Sequence, residues 1–367
     1  MAKINRLSEK IKNDVIKGSY GKSGDKFLSL REFSRQTGIS YTSAVKIYDE
    51  LKKNCFIFLY GNTYYISTGQ YANSAALYHK INFGHGKKKI GLFVRDISNP
   101  FFSNLTHELN LQLTGSDANL IIMSCNDTPK ETKKILNEFI SLGCSAVISF
   151  GSINDCELYP FYINYPLPCI VIGRQIPDLK IDSVTTDNYG SGIQAAKYLF
   201  NCGYKQFGYV GLKTSGETPD LRYQGFTAFL DKQGIELNPD LHFKLNTEEK
   251  VSLSYIGKIL KTFSSAVPLG IFCYHDLLAI KMIDMCAHYN LNVPHSVGII
   301  GYDDLPVSKI ITPTLTTFGC NYKAFAHKII EIIINKIRTL KVSNEQYTIE
   351  THLIARKSTV DFNMSPK

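Results

Sequence analysis

Polar and aromatic side chains follow several short apolar runs of this sequence, and their types suit the binding of a hydroxylated small molecule. Asp303 comes just after the run Val297–Gly301, and Phe101 and Phe102 come shortly after the run Ile90–Val94. Carboxylates and guanidinium groups make paired hydrogen bonds to neighbouring hydroxyls, and aromatic rings cover the apolar C–H face of a sugar. Because ligands of parallel sheets bind at the carboxyl ends of the strands, we expect these side chains to share a site.

Motifs for catalysis are absent from the sequence. It contains no Gly-x-Ser-x-Gly, no His-Glu-x-x-His and no P-loop Gly-Lys-Ser/Thr, and Gly190-Ser191-Gly192 lacks the dinucleotide fingerprint. Its 9 cysteines include no Cys-x-x-Cys pair, so neither a zinc site nor a disulfide framework is indicated. We therefore expect no catalytic residues, no metal and no cofactor, and a chain that is not an enzyme.

Apolar runs alternate with helical patterns from residue 90 onwards. The strand candidates are Ile90–Val94, Leu120–Ser124, Ala146–Phe150, Cys169–Gly173, Val184–Thr186, Phe207–Gly211, Gly270–Tyr274 and Val297–Gly301. Helices are predicted over 101–115, 129–142, 188–202, 220–234, 248–264, 276–290 and 321–340, and a further strand near 347–355. Such alternation predicts an α/β fold with parallel sheets and right-handed crossovers. The strands are too many for one sheet, which predicts a first lobe of about 90–182 and 314–342 and a second of about 183–313 and 343–360.

The positive charge is concentrated at the amino terminus. Residues 1–85 carry 13 Lys+Arg and 6 Asp+Glu, a net +7, which leaves +2 of the total +9 for the remaining residues. A basic segment on a nearly neutral body indicates a polyanionic partner at that end. The alternative is that the charge only aids solubility.

Two short helices joined by a glycine-containing turn are predicted within this basic segment. A Ser-x-x-Glu capping box at Ser29–Glu32 begins the first, and Tyr41–Lys53 forms the second. Strand-like Phe56–Tyr60 and Thr63–Ile66 follow, separated by the two-residue turn Gly61-Asn62. This is the pattern of a winged helix-turn-helix, whose second helix enters the major groove with its amino end first.

The stretch LSLREFSRQTGISYTSAVKIYDELKKNCFIFLYGNTYYIS resembles the GntR family of winged-helix regulators, over about residues 5–68. It departs from that family at Leu28-Ser29, where Pro-Ser is common, and at Tyr41, where a basic residue is frequent. The resemblance implies a DNA-binding domain over 1–68 and a linker over 69–89. The residues expected to contact DNA are Arg31, Tyr41, Thr42, Ser43, Lys46 and Asn62.

From residue 90 the chain resembles the sensor of the LacI/GalR family, which is similar in turn to periplasmic sugar-binding proteins. The matching stretches are VRDISNPFF, TTDNYGSGIQAAKYLFNCGYKQFGYVG, DLRYQGFTAFLDKQGI, GIFCYHDLLAIKMIDMCAHYNLNVPHSVGIIGYDDL, TPTLTTF and IARKST. A GntR-type head on such a sensor is similar to the arabinose repressor group. The resemblance implies a periplasmic-binding-protein-like domain over 90–367, with Arg222 and Asp303 as hydroxyl-binding residues and a cleft between two lobes.

Each candidate has an alternative interpretation that the sequence leaves open. Asp303 could only cap a turn, Arg222 could form a surface ion pair, and the phenylalanines could be core residues. His275 stands where the family usually has Asn, and could bind a hydroxyl in a pH-sensitive way or be structural. Arg95, where proline is frequent, could favour an acidic sugar or phosphate or pair with Asp96.

These features together predict a sugar-responsive transcription regulator, most simply a repressor. Its expected partners are a double-stranded DNA operator, a small-molecule effector and a second copy of the chain in a homodimer. No run approaches the ~20 apolar residues of a membrane span and no signal peptide opens the chain, so we expect a cytoplasmic protein. The rival hypotheses are an intracellular sugar-binding or scaffold protein that does not bind DNA, and an enzyme on an α/β fold.

Overall fold

The computed structural model describes residues 2–21, 25–53, 56–60, 63–66, 87–125, 128–150, 158–163, 165–173, 181–212, 220–245, 251–264, 267–339 and 345–363. The chain divides into two compact units. The first consists of Met1–Val184 and Lys323–Tyr347, and the second of Thr185–Tyr322 and Thr348–Lys367. The chain therefore passes between the units three times. The predicted linker falls mostly on residues 69–86, which lie outside the described residues.

The amino-terminal part of the first unit has three helices and a β-hairpin. These elements are α1 (Ala2–Ile16), α2 (Leu30–Thr37), α3 (Tyr41–Lys53), β1 (Ile57–Tyr60) and β2 (Thr63–Ile66). Strands β1 and β2 pair antiparallel, with Ile57 opposite Ile66. The predicted capping box is present, because the Ser29 hydroxyl accepts from the Glu32 amide while the Glu32 carboxylate accepts from the Ser29 amide.

The core of this amino-terminal part is aromatic and aliphatic. Its buried members are Ile11, Val15, Phe27, Phe33, Ala44, Ile47, Tyr48, Leu51, Ile57 and Ile66. Tyr48 packs edge-on against Phe33 and Tyr64, with ring centroids 5.1 and 4.7 Å apart, and its hydroxyl donates to the Leu28 carbonyl oxygen over 2.7 Å. One face of α3 is thus anchored in the core, which leaves the opposite face exposed.

The remainder of the first unit is built on a six-stranded sheet. Its elements are β3 (Lys88–Val94), α4 (Pro100–Leu113), β4 (Ala118–Ser124), α5 (Pro129–Ser141), β5 (Ala146–Ser149), α6 (Leu158–Ile163), β6 (Cys169–Ile172), β7 (Asp182–Thr186), α11 (Tyr322–Thr339) and β13 (Gln346–Ile349). The strand order is β13-β7-β6-β5-β3-β4, and the pairs from β7 to β4 are parallel. The near-continuous apolar runs of these strands fit a sheet that is covered on both faces.

The second unit is built on a four-stranded parallel sheet in the order β11-β10-β8-β9. Its elements are α7 (Asn188–Asn201), β8 (Gln206–Leu212), α8 (Leu221–Lys232), β9 (His242–Leu245), α9 (Val251–Ser264), β10 (Leu269–Cys273), α10 (Asp276–His288), β11 (Val297–Ile300), β12 (Thr317–Cys320) and β14 (Thr351–Ile354). Strands β12 and β14 form a separate antiparallel pair.

The two parallel sheets confirm the predicted α/β fold class. The structure also contains β9 and β12, which were not predicted, and divides the predicted strand near 347–355 into β13 and β14. These strands are 4 residues long each, too short for a hydrophobic period to distinguish them from loops. Within the described residues, no helix is both long and apolar enough to cross a membrane.

Candidate functional site

A guanidinium group held between two tyrosine rings forms the centre of the candidate ligand site in the second unit. Arg222 lies in the first turn of α8, where the Asp220 carboxylate caps the helix by accepting from the amides of Arg222 and Tyr223. The Arg222 Cζ atom lies 3.5 Å from the centroid of the Tyr302 ring and 4.5 Å from that of Tyr274. Both rings offer their negative faces to the cation, so this geometry stabilises the charge.

Hydrogen bonds fix the same guanidinium. Arg222 Nε donates to Asn188 Oδ1 over 2.8 Å, and Arg222 Nη1 donates to the carbonyl oxygen of Tyr274. Burial lowers the pKa of Arg222, but Tyr302, Tyr274 and Asp303 raise it more, so the net shift is upward and the group stays charged. Arg222 is therefore held by aromatic rings, an amide and a backbone carbonyl, and this arrangement differs from a solvent-exposed surface ion pair.

Asp303 supplies a buried carboxyl group at this site. It follows β11, its exposed fraction is 8%, and its φ of 114° lies in a region that non-glycine residues rarely adopt. Its backbone amide donates to the carbonyl oxygen of Phe318, and its own carbonyl oxygen accepts from the Tyr322 hydroxyl over 3.2 Å. Burial raises the pKa of Asp303 to about 8, against the lowering effect of Arg222. A strained backbone thus holds a desolvated carboxyl group beside a fixed cation.

The neighbouring Asp304 has a different environment. Its carboxylate forms ion pairs with Arg356 and, over 3.3 Å, with Lys309. Arg356 also donates to the carbonyl oxygen of Leu315. Asp304 therefore connects the loop after β11 to the carboxyl-terminal segment, whereas the Asp303 carboxyl group interacts electrostatically with Arg222.

A buried carboxylate that sequence reasoning did not single out supports this loop. Asp276 is fully buried and accepts from the Leu305 amide (2.8 Å), the Ser308 hydroxyl (2.6 Å) and the Thr317 hydroxyl (2.5 Å). Burial raises the pKa of Asp276 to about 6, and the three hydrogen bonds lower it. Asp276 connects the start of α10 to the segment that carries Asp303 by hydrogen bonds, so it helps to position Asp303.

His275 is the N-cap of α10. Its Nδ1 accepts a hydrogen bond from the Leu278 amide over 3.0 Å, so the neutral ring carries its proton on Nε2. Burial and, to a lesser extent, the charge of Arg222 lower the pKa of His275 to about 4. These surroundings do not support ligand binding that depends on the protonation of His275 near pH 6.5, which the sequence left open. They leave an imidazole that caps a helix and offers one N–H donor.

Replacing His275 with asparagine is expected to remove a pH dependence of stability. Asparagine also caps helices, so the free energy of unfolding at pH 7 should change by less than about 0.5 kcal/mol. The pKa of His275 falls from 6.5 to about 4 on folding, so the unfolded chain binds more protons between these values. As the pH is lowered from 7 to 4, the free energy of unfolding of the wild type should therefore fall by about 3 kcal/mol relative to that of His275→Asn.

Urea unfolding at pH 4, 5, 6 and 7 measures this difference. The control His275→Ala lacks a cap and should lose about 1 kcal/mol at pH 7 relative to the asparagine variant. A difference between wild type and His275→Asn that stays constant over this pH range would show that folding does not lower the pKa of His275.

Two glycines let helices α7 and α8 approach closely at this site. A β-carbon at Gly192 would overlap the carbonyl oxygen of Arg222, and one at Gly225 would overlap the carbonyl oxygen of Tyr189. The sequence drew attention to Gly192 only as part of a motif that failed the dinucleotide pattern. In the structure, the glycine fixes the backbone that carries the central arginine.

The aromatic candidates Phe101 and Phe102 lie in the first unit. Both are half-buried in the first turn of α4, where the Asn99 side chain accepts from the Phe101 amide over 3.0 Å. Phe102 packs against Phe101 and Phe150 at 5.4 and 5.0 Å between ring centroids, and Arg95 Cζ lies 5.8 Å from the Phe102 ring. The sequence candidates thus form two groups, with Arg222, His275 and Asp303 in the second unit and Arg95, Phe101 and Phe102 in the first.

The DNA-binding candidates lie on or beside α3. Tyr41 is 52% exposed, and Arg31, Thr42 and Lys46 are also exposed. Ser43 is half-buried: its amide donates to the Ser40 hydroxyl over 3.2 Å, and the two hydroxyls lie 2.9 Å apart. Ser43 therefore contributes to the cap of α3, which makes it a weaker candidate for a base contact. Asn62 lies outside the described residues.

Comparison with protein families identifies the class of the sensor. Residues 196–359 match the model of the periplasmic binding protein-like domain. Together with the two parallel α/β sheets, this match defines a two-lobed α/β fold of the periplasmic-binding-protein-like class. Among the described residues, no group of three or more His, Cys, Asp or Glu side chains could hold a metal ion.

The chain is also similar to individual transcription regulators. The chain is 24% identical to the HTH-type transcriptional repressor PurR of Pasteurella multocida (strain Pm70) over 274 residues, which cover 74% of this chain and 81% of that protein. It is 26% identical to the periplasmic binding protein/LacI transcriptional regulator of Alkaliphilus metalliredigens QYMF, solved with D-xylulofuranose, at a TM-score of 0.65 over 75% of this chain and 100% of that one. A LacI family transcriptional regulator from Lactobacillus casei with bound sucrose shares the fold, at 23% identity and a TM-score of 0.64 over 74% of this chain and 100% of that one.

Proposed function

We propose that this chain is a sugar-responsive, DNA-binding transcription regulator, a repressor of carbohydrate-utilisation genes whose operator affinity changes when a ligand binds the sensor. The single observation that carries this proposal is the Arg222 guanidinium, stacked on Tyr302 beside the buried Asp303 carboxyl group. A charged donor and a carboxyl acceptor close together are what a pair of neighbouring hydroxyl groups requires. The homologous repressors, and the relatives solved with D-xylulofuranose and sucrose, support the same function.

The hydrogen bonds that Arg222 makes within the protein favour an uncharged polyol as the effector. Arg222 already donates to Asn188 and to the Tyr274 carbonyl oxygen, so much of its hydrogen-bonding capacity is used within the protein. With its pKa raised to about 8, the Asp303 carboxyl group is mostly protonated at pH 7 and can exchange hydrogen bonds with neutral hydroxyl groups. Phe101 and Phe102 of the first unit stay predicted as aromatic ligand contacts.

The amino-terminal helices and hairpin are the proposed DNA-binding head, of the GntR winged type. Their arrangement of three helices and an antiparallel hairpin is the one that this type requires, and the net charge of +7 over residues 1–85 suits a polyanion. Helix α3 would enter the major groove with Tyr41, Thr42 and Lys46, while Arg31 and Asn62 would reach the neighbouring backbone.

The regulator would act as a homodimer on an operator with two similar half-sites, because the symmetry of the protein and that of the site go together. Ligand binding to the sensor would change the spacing of the two heads. A coupling free energy of ~1–3 kcal/mol would alter operator affinity ~5–150-fold. Such a regulator works in the cytoplasm, where the chromosome is.

A thermal-shift screen with the full chain tests the sensor. Pentoses, hexoses, uronic acids and sugar phosphates are added separately at millimolar concentration, because a ligand of the folded state raises the melting temperature by mass action. We expect neutral sugars to raise it, and the same sugars to change retention of the chain on duplex DNA. Sugar binding without salt-dependent DNA retention would instead support the rival sugar-binding or scaffold protein.

Replacing Lys46 with alanine is expected to weaken DNA binding several-fold and to reduce the slope of log affinity against log salt by about one, because one phosphate contact is lost. Fluorescence anisotropy with duplex DNA from 50 to 200 mM salt measures both quantities. The matched control is Lys261→Ala, which removes an exposed lysine of the second unit and should change neither. An unchanged affinity and slope for Lys46→Ala would remove this lysine from the interface.

A further inference from the structure

The exposed face of α3 carries an unusual set of side chains for a helix that reads DNA. Burial of Ala44, Ile47, Tyr48 and Leu51 fixes how the helix is turned on its axis, and the exposed side chains of its first two turns are Tyr41, Thr42 and Lys46. The helix contains no arginine, although arginine is the commonest reader of guanine in the major groove. Base recognition at the start of this helix must therefore use a group other than a guanidinium.

Tyr41 is the side chain best placed for that recognition. It is the first residue of α3 and remains 52% exposed, which is a large apolar surface to leave in water. The cap that Ser40 provides holds this end of the helix in a defined geometry, since its hydroxyl accepts from the Ser43 amide and its carbonyl oxygen from the Ala44 amide. An exposed aromatic ring on a fixed helix backbone is suited to an apolar contact in the groove.

The apolar group that the major groove displays is the C5-methyl of thymine. We propose that Tyr41 recognises thymine through this methyl group, so that each operator half-site carries a thymine opposite the start of α3. The proposal rests on the proposed function, in which α3 is the recognition helix. It deepens that function by naming the base and the atom that are read.

The two neighbouring exposed side chains have other tasks. The hydroxyl of Thr42 lies 3.0 Å from that of Ser40 and so belongs to the hydroxyl cluster of the helix cap. Lys46 lies more than a turn further along the helix, and its flexible charged group suits a phosphate. Because Tyr41 is uncharged, its contact should release no counterions. It should therefore leave the slope of log affinity against log salt unchanged. This property separates a methyl-reading tyrosine from a phosphate-binding lysine.

The experiment pairs a change in the protein with a change of one methyl group in the DNA. Binding sites are first selected with the full chain from a library of duplexes that contain 20 randomised base pairs. Each thymine of the selected half-site is then replaced by uracil, which removes only the C5-methyl. Affinities of wild type, Tyr41→Ala and Tyr41→Phe are measured for every duplex by fluorescence anisotropy.

At one position of the half-site, we expect uracil to lower wild-type affinity about fourfold, as the loss of one buried methyl predicts. Tyr41→Phe should keep this discrimination because it keeps the ring, and Tyr41→Ala should lose it. The slope of log affinity against log salt should be the same for all three chains. Equal melting temperatures of the three chains would verify that each is folded.

Two results would overturn the inference. One is a wild-type chain that binds its selected site but does not distinguish uracil from thymine at any position. The other is a Tyr41→Ala variant with the full wild-type discrimination. A chain that retains no duplex from the library would instead contradict the proposed function, so the two failures are distinguishable.

Discussion

Replacement of Asp303 by alanine is expected to abolish the response to ligand while DNA binding persists. The carboxyl group lies in the second unit beside the Arg222 guanidinium and is the acceptor for ligand hydroxyls in the proposed site. A typical hydrogen bond contributes about 0.5–1.5 kcal/mol, so the loss of two should lower affinity about 5- to 150-fold. Isothermal titration calorimetry with the sugar found in the thermal-shift screen measures the affinity, and anisotropy with duplex DNA measures the response.

The neighbouring carboxylate provides the control. Asp304→Ala removes the ion pairs with Arg356 and Lys309, so it should lower the melting temperature but leave sugar affinity within about threefold. An Asp303→Ala variant that still releases or gains DNA at the same sugar concentration as wild type would exclude Asp303 from the ligand site.

Replacement of Lys336 by methionine is expected to destabilise the first unit strongly. Lys336 Nζ in α11 lies 2.8 Å from Asp182 Oδ2 in β7, and both side chains are only 3% exposed. Burial raises the pKa of Asp182, while the Glu345 amide and Lys336 lower it. Removing the lysine leaves the carboxylate in a desolvated place without its counter-charge, which costs about 3–5 kcal/mol in the free energy of unfolding. Urea unfolding monitored by circular dichroism measures this loss.

Two further variants distinguish loss of the buried pair from a general effect of losing lysine. Lys52→Met breaks an exposed pair with Asp49, also 2.8 Å long, and should cost less than about 1 kcal/mol. The double variant Asp182→Leu/Lys336→Met lacks both charges of the buried pair, so it should regain much of the free energy of unfolding that Lys336→Met loses. A Lys336→Met variant as stable as Lys52→Met would contradict the assigned role of the buried pair.

The parts of the fold that local sequence patterns determine were predictable. Apolar runs such as Ile90–Val94 are buried strands, and their alternation with helical patterns correctly gave parallel sheets. The capping residue Ser29 was also predictable, because a cap depends on residues only three apart. The Ser29 capping box is present as expected.

The supporting contacts of the ligand site were not predictable, because they join residues far apart in the chain. Asp276 accepts hydrogen bonds from Ser308 and Thr317, 32 and 41 residues away. The Tyr302 ring under Arg222 belongs to a different strand end, 80 residues from the arginine that it supports. Only the fold brings these groups together, and a hydrophobic period carries no information about such pairs.

The contact of α7 with α8 through Gly192 and Gly225 limits how this sensor could evolve a new effector. Side chains on the loops after β10 and β11 can be exchanged one at a time, since each belongs to its own strand end. The backbone of Arg222 cannot move in the same way, because the carbonyl oxygens of Arg222 and Tyr189 fill the space where the side chains of the two glycines would lie. Mutational libraries that aim to change ligand preference will therefore yield functional variants around Tyr274 and His275, and almost none at the two glycines.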